Sequence, residues 1–290
     1  MISDWWIIVN SALTAACCGI LGSFIILRRM SMLVDAISHA VLPGIVIAYL
    51  FTESLQSIWL LIGAGLSGFA TVWLIESIAK RYNLHEDASI GSIYTSMFAL
   101  GIILISSLAF RVDLDQECVL YGEVSHTLFD VLIINGKVAG PKAFYLLLGI
   151  FIINLTFVLL NYKQLKVMSF DGVFASTIGI STSILHYTLM GLVSFTTVAS
   201  FEMVGSILVI AYFTALPAIA YLFSYSLSAM LRLCILTGIL CAVSGYFIAL
   251  WWGVSVSGAT VLSMGICLLV AIFVSPKKGL LKPWLYAKSK

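Results

Sequence analysis

Charged side chains are scarce. Asp, Glu, Lys and Arg make up 10% of the 290 residues, while 61% are hydrophobic. A soluble domain carries about 25% charged and about 45–50% apolar residues, so too little polar surface exists here to cover a water-soluble fold. That shortage excludes a soluble enzyme, a nucleic-acid-binding domain and a disordered scaffold. The net charge of +2 is too small to draw a polyanionic partner. No C-x-x-C occurs among the six cysteines: Cys17 and Cys18 are adjacent, Cys234, Cys241 and Cys267 lie in apolar runs, and Cys118 is in a polar loop. They offer neither a zinc framework nor a redox motif, and read as small hydrophobes. No G-x-x-x-x-G-K-[ST] loop is present to bind ATP. His85-Glu86 is followed by Asp87-Ala88 with no second histidine one turn on, which argues against an intramembrane metalloprotease. An Arg-rich span and a T-V-G-Y-G filter are also missing, which excludes a voltage sensor and a potassium pore.

What the chain has is long apolar runs, with a mean hydropathy of +1.11. Nine windows are long enough to span a bilayer: Trp5–Leu27, Val34–Phe51, Ile58–Ala79, Ile90–Phe110, Ala143–Asn161, Ser181–Ala199, Glu202–Phe223, Ala229–Trp252 and Val256–Ser275. The break before Glu202 is short, which leaves an eight-span count open. The windows are long and lack strict alternation, so they predict helices rather than barrel strands. The expected fold is an all-α polytopic membrane protein forming one domain over 1–290, with an outer loop near 111–142. With nine spans and an outside N-terminus, twelve of the fifteen basic residues fall on one side, among them Arg28, Arg29, Lys80, Arg81, Lys163 and Lys166. The other side keeps Arg111, Lys137 and Lys142. The richer side, with the C-terminus, is expected in the cytoplasm. The start lacks the basic region of a cleavable signal peptide, so the first span is expected to stay.

Polar residues inside such runs mark either a pathway or a satisfied packing contact. Asp35 and His39 stand four apart in the second window, so on a helix they share a face about 5–6 Å apart at Cβ. A carboxylate and an imidazole so placed can share one divalent ion. An uncompensated ionisable group near mid-membrane costs roughly 2.5–3.5 kcal/mol on insertion scales. Pro43 has no N–H for the carbonyl of His39, and Pro217 none for that of Phe213, so both prolines are candidate pathway breaks. A second reading stands beside this one: Asp35 caps its helix, His39 hydrogen-bonds it, and Pro43 is a kink. Glu202 is either a further ligand or a surface acid between two spans. Glu76 reads as a snorkelling acid one turn before Lys80, and His186, with no acid at helical spacing, as a packing residue. Small pairs at helix-contact spacing, Ala15 with Gly19, Gly44 with Ala48 and Ala64 with Gly68, serve either a dimer face or intrachain packing. Asp113, Asp115, Glu117, Glu123, His126 and Asp130 give the outer loop an acidic character fit for a solvated loop or a docking partner.

The stretch from Arg28-Arg29 through Asp35-Ala36-Ile37-Ser38-His39-Ala40-Val41-Leu42-Pro43-Gly44 resembles the signature of permease subunits of ABC importers for zinc, manganese and iron. Glu86-Asp87 with Ile90-Gly91, Leu120-Tyr121-Gly122, Phe170-Asp171 with Phe174-Ala175 and Gly179, and Val204-Gly205-Ser206 running on to Pro217 match that family in order. The resemblance implies a metal-holding role for Asp35 and His39. It implies a cytoplasmic coupling segment near 163–180, with Phe170, Asp171, Phe174, Ala175 and Gly179 meeting the ATPase. Gly172 departs from a common proline, Ser176-Thr177 depart from a frequent basic residue, and Glu202 stands where many relatives are uncharged, so no family role passes to it.

The expected function is the membrane-spanning subunit of an ATP-driven importer of Mn, Fe or Zn in a prokaryotic cytoplasmic (inner) membrane. It is a transporter subunit rather than an enzyme, with the metal as cargo and no permanently bound cofactor. Its implied partners are an ATP-binding subunit dimer, an extracellular or periplasmic metal-binding protein, a second permease and membrane lipid, with no nucleic acid. Rival readings are a permease for a metal chelate or cobalamin-like cargo, a secondary metal transporter working without ATP, and an intramembrane enzyme.

Overall fold

The computed structural model describes residues 2–52, 57–108, 131–134 and 137–276. The acidic outer-loop positions from Asp113 to Asp130 lie outside the described residues. Among the described residues eleven helices and one hairpin follow in order: α1 (Ile2–Leu27), α2 (Met32–Thr52), α3 (Ser57–Tyr82), α4 (Glu86–Leu108), β1 (Val131–Ile134), β2 (Lys137–Pro141), α5 (Lys142–Leu160), α6 (Tyr162–Phe170), α7 (Gly172–Thr177), α8 (Thr182–Val204), α9 (Ser206–Phe223), α10 (Leu227–Trp252) and α11 (Val256–Val274). Among the described residues nine helices are long and apolar enough to cross a membrane, all but the short α6 and α7. The chain is a polytopic all-α membrane protein.

Burial explains how these helices stack. The α1 residues Ala15, Cys17, Cys18, Leu21, Phe24 and Ile25 are fully enclosed, against Tyr212, Phe213 and Leu216 of α9 and Cys234 of α10. Apolar burial offers little drive between helices in lipid, so close approach depends on small residues. A Cβ added at Gly22 would stand 2.5 Å from the Phe213 carbonyl oxygen, and one at Gly238 would stand 2.9 Å from Ala15 Cβ. The small pairs seen in the sequence face neighbours within the chain. Ala15 meets Gly238, Ala48 meets Gly63, and Gly68 lies against Ser194 and Ile37. They are intrachain packing. Some buried hydroxyls are satisfied locally, as Thr14 donating to the Asn10 carbonyl at 2.8 Å, and others across helices, as Ser11 with Tyr212 at 2.6 Å.

A second block, α2 with α3 and α4, packs beside this core, and α8 touches both. Ser67 Oγ of α3 donates to the Ala40 carbonyl of α2 at 2.7 Å. Ser194 Oγ of α8 donates to the Gly65 carbonyl of α3 at 2.8 Å. The hairpin departs from the expected all-helical chain. β1 and β2 pair antiparallel, Leu132 with Gly140 and Ile133 with Val138, so a bulge falls at Ala139. Gly140, at φ +129°, meets the Trp6 ring of α1, where a Cβ would sit 2.6 Å from the indole. The hairpin thus caps the end of the bundle opposite Arg28 and Lys80.

Candidate functional site

The tight link from α1 to α2 sets the position of the site. The Met30 N–H returns to the Ile25 carbonyl and the Arg29 N–H to the Ile26 carbonyl, both at 3.0 Å, closing a Schellman turn with Arg29 at φ +60°. Helix α2 therefore starts directly beside the end of α1, and Asp35 falls in its first turn. There it lies against the positive end of the helix dipole as well as beside His39. Seventeen residues, about 25 Å of helix, separate Asp35 from the far end of α2 at Thr52. The pair thus lies near one mouth of the span, and the mid-membrane cost weighed from sequence does not apply in full.

On α2 the residues Val34, Ile37 and Val41 turn inward, while the side chains of Asp35 and His39 are 43% and 39% exposed. Asp35 Oδ1 and His39 Nε2 stand 3.7 Å apart. That is beyond an ordinary hydrogen bond. It is short enough for one ion to touch both: with metal–ligand distances of about 2.1–2.2 Å, the angle at the ion is roughly 115–125°. From α4, Tyr94 and Phe98 wall the imidazole, with ring centroids 5.7 and 5.8 Å away. Tyr94 and Phe98 stand four apart on one helix, and that spacing is the local signal that they share a face. No group of three or more His, Cys, Asp or Glu that could hold an ion occurs among the described residues. The described residues therefore supply two donors on an open face.

A second polar cluster was missed. Glu76 of α3 is not a snorkelling acid; its side chain is 11% exposed and bonds both Lys80, at 3.0 Å, and His186 of α8. A carboxylate held by an ammonium can only accept, so His186 Nε2 donates to it. No local pattern announces a partner 110 residues away. Beside this pair lies a cavity of about 450 Å³, walled also by Arg28, Glu86, Asp87 and Met168. Burial pushes the Arg28 guanidinium below its ordinary pKa, with Glu76 and Glu86 pulling the other way.

The segment between α5 and α8 lies at this same end. The Asp171 carboxylate caps α7 by accepting from the Phe174 N–H at 2.8 Å. Gly179 turns the chain at φ +84° toward α8. Ala175 is fully buried and seats the short helix, while Phe170, Val173, Phe174 and Ile178 all project, each more than half exposed. Four large apolar side chains outside any candidate span form an uncovered patch.

The remaining candidates are placed apart from Asp35. Pro43 lies inside a continuous α2 and is buried. Pro217 is buried against Gly22, so the Phe213 carbonyl it frees meets the backbone of α1. Glu202 belongs to the last turn of α8, at the opposite end of the bundle from Asp35, and does not open the next span; its side chain lies outside the described residues. The helix breaks instead at Gly205, φ +80°.

Comparison with known proteins matches this geometry to a family. The family model described as ABC 3 transport family covers residues 5–275. The manganese transport system membrane protein MntD of Bacillus subtilis is 42% identical over 276 residues, 95% of this chain and 93% of that protein. The zinc transport system membrane protein TroD of Treponema pallidum is 32% identical over 98% of this chain and 77% of its own length. Among solved structures, PsaBC from Streptococcus pneumoniae in complex with Fab aligns with a TM-score of 0.79 and 30% identity, over 97% of this chain and 94% of that one. An inward-facing structure of a putative metal-chelate type ABC transporter shares the fold, with a TM-score of 0.59 and 17% identity over 92% and 87% of the two chains. On a match running from the first span to the end of the last, this chain belongs to the ABC 3 transport family.

Proposed function

We propose that this chain is the membrane-spanning subunit of an ATP-driven importer of divalent transition metal ions, with Asp35 and His39 holding the ion in transit. The observation that carries the reading is their 3.7 Å separation on a half-exposed face of α2. Two donors bind an ion weakly, and two copies related by a two-fold axis bring four. Transport needs a site that admits the ion and also releases it, which a split ligand set provides. Carboxylate and imidazole suit Mn, Fe or Zn, and among the described residues no cysteine joins a group of three or more ligands that would invite Cu(I). The names of the relatives, manganese for MntD and zinc for TroD, favour manganese as the first ion to test.

In this reading the basic end faces the cytoplasm of a prokaryote, as the excess of Lys and Arg supports. The exposed patch of Phe170, Val173, Phe174 and Ile178 receives an ATP-binding subunit, which hydrolyses the ATP. A metal-binding protein delivers the cargo at the opposite end, near the hairpin and Glu202. Replacing His39 with Ala and measuring manganese uptake in cells tests the site. Uptake falls at unchanged expression; uptake at the normal rate removes the assignment.

A further inference from the structure

Helices α2, α3 and α4 form one block: Ser67 ties α3 to the Ala40 carbonyl, and Gly63 and Gly44 let the two backbones touch. That block carries Asp35 and His39. Helix α8 touches both this block and the α1 core, and it follows α7 after only a few residues, so a displacement of α7 pulls first on the start of α8. Between that start and the end of α3 the packing is incomplete. The cavity of about 450 Å³ is lined on one side by Met168, Gly172, Thr182 and Ser183, and on the other by Glu76, Lys80 and Glu86. Across this gap apolar contact transmits little, and His186, in the second turn of α8, reaches Glu76 directly. Both side chains are nearly enclosed, so the contact is not diluted by water. Lys80 holds the second carboxylate oxygen and fixes the acid in place.

We propose that Glu76 and His186 form a positioning tie that carries movement of the coupling segment to the helix block holding Asp35 and His39. The proposal rests on the reading above, in which α7 meets the ATPase. Neither residue touches the ion. The tie makes motion at α8 and motion at α3 one event, so hydrolysis and ion movement stay in step. Without it, the start of α8 shifts against the cavity while the end of α3 stays behind, even though the two helices remain packed farther along at Gly65 and Gly68.

The test uses the full chain with its ATP-binding subunit in proteoliposomes supplied with its metal-binding protein and manganese, reading manganese uptake and ATP hydrolysis in the same vesicles. Glu76→Gln and His186→Gln keep polar groups and similar size but remove the charge-assisted bond. Hydrolysis stays within about twofold of the unaltered complex, while manganese moved per ATP falls roughly tenfold or more, the scale of an ordinary allosteric coupling. His186→Asn and Glu76→Asp, which shorten one arm of the pair, give the same readout should Glu76→Gln not assemble. An unchanged ratio in these variants overturns the tie. So does a parallel loss of hydrolysis, uptake and thermal stability, which marks a merely structural contact. His39→Ala in the same vesicles separates the two readings. Its normal uptake defeats the ion site, whereas its loss together with an intact ratio in Glu76→Gln defeats the tie alone.

Discussion

Gly68 is where the seam between α3 and α8 is tightest, and a double substitution there tests the packing with a sign that is hard to mimic. A Cβ at Gly68 would collide with Ser194 Oγ and stand 2.9 Å from Ile37 Cγ2, while Ser194 Cβ, at 3.4 Å, is an ordinary neighbour. Gly68→Ala is thus an overpacking change, with a cost of about 1–3 kcal/mol. Ser194→Ala alone removes the 2.8 Å bond to the Gly65 carbonyl. Hydrogen bonds between membrane helices average about 0.6 kcal/mol by double-mutant cycles. If the two sites were independent, the pair would lose roughly 1.6–3.6 kcal/mol by summing these terms. The structure predicts otherwise. Removing Ser194 Oγ vacates the space the new methyl needs, leaving only Ile37 to yield by about 0.5 Å, which its rotatable side chain can absorb. The double variant is therefore no less stable than Gly68→Ala alone, an interaction of at least about 0.6 kcal/mol in favour of the pair. Reversible unfolding in bicelles, run on all four proteins of the cycle, measures it. Losses that add to within about 0.3 kcal/mol would refute the close approach of these two helices.

Two further predictions concern the proposed function. Asp35→Asn keeps size and polarity but removes the anionic donor, so manganese uptake at subsaturating metal falls at least tenfold, roughly the scale for losing an interaction that supports a metal site; uptake assays at matched expression check it. Phe174→Asp puts a charge in the exposed patch, changes stability by no more than about 0.5 kcal/mol, and abolishes co-purification with the ATP-binding subunit. Retained co-purification at normal yield removes Phe174 from the docking surface.

The spans were legible because hydropathy and length alone decide them: each run is long enough to cross lipid and is bounded by charge or turn residues. Their ends were less so. Hydropathy cuts the seventh window at Glu202 because an acid interrupts an apolar run, yet the helix continues to Val204, and the chain turns only at Gly205, where φ is +80°. Backbone geometry ends a helix, and a single acid near a membrane surface does not. The hairpin was missed for a related reason. Asn135-Gly136 between two short apolar runs is a strong turn signal, but it sits in a polar stretch read only as an outer loop.

The site was half legible. Asp35 and His39 are four apart in one helix, so their meeting follows from local geometry, and α2 brings them to one face as spacing requires. Glu76 and His186 depend on how α3 packs against α8, which no local pattern encodes. Read separately, each residue had a bland explanation: an acid near Lys80, and a histidine with no acid one turn away. Only the fold turns two bland residues into a buried pair.

The exposure of Asp35 and His39 also bears on what surrounds them. Farther along α2, Ile47, Leu50 and Phe51 are exposed, and Leu100 and Ile103 of α4 are exposed as well. Such a surface is too apolar for water, while a carboxylate and an imidazole near its end are too polar for lipid. Lipid would leave the carboxylate uncompensated, and water would leave the aromatic and aliphatic rows wet. On the proposed reading a second permease laid on this face would answer both demands, burying the apolar rows and bringing another carboxylate and imidazole to the same mouth. On that reading the ion is then held where the start of α2, the end of α3 with Lys80 and Arg81, and the start of α8 converge, close to the coupling segment. A small displacement at that end is enough to separate the two half-sites, and the long remainder of α2 can stay packed while it happens.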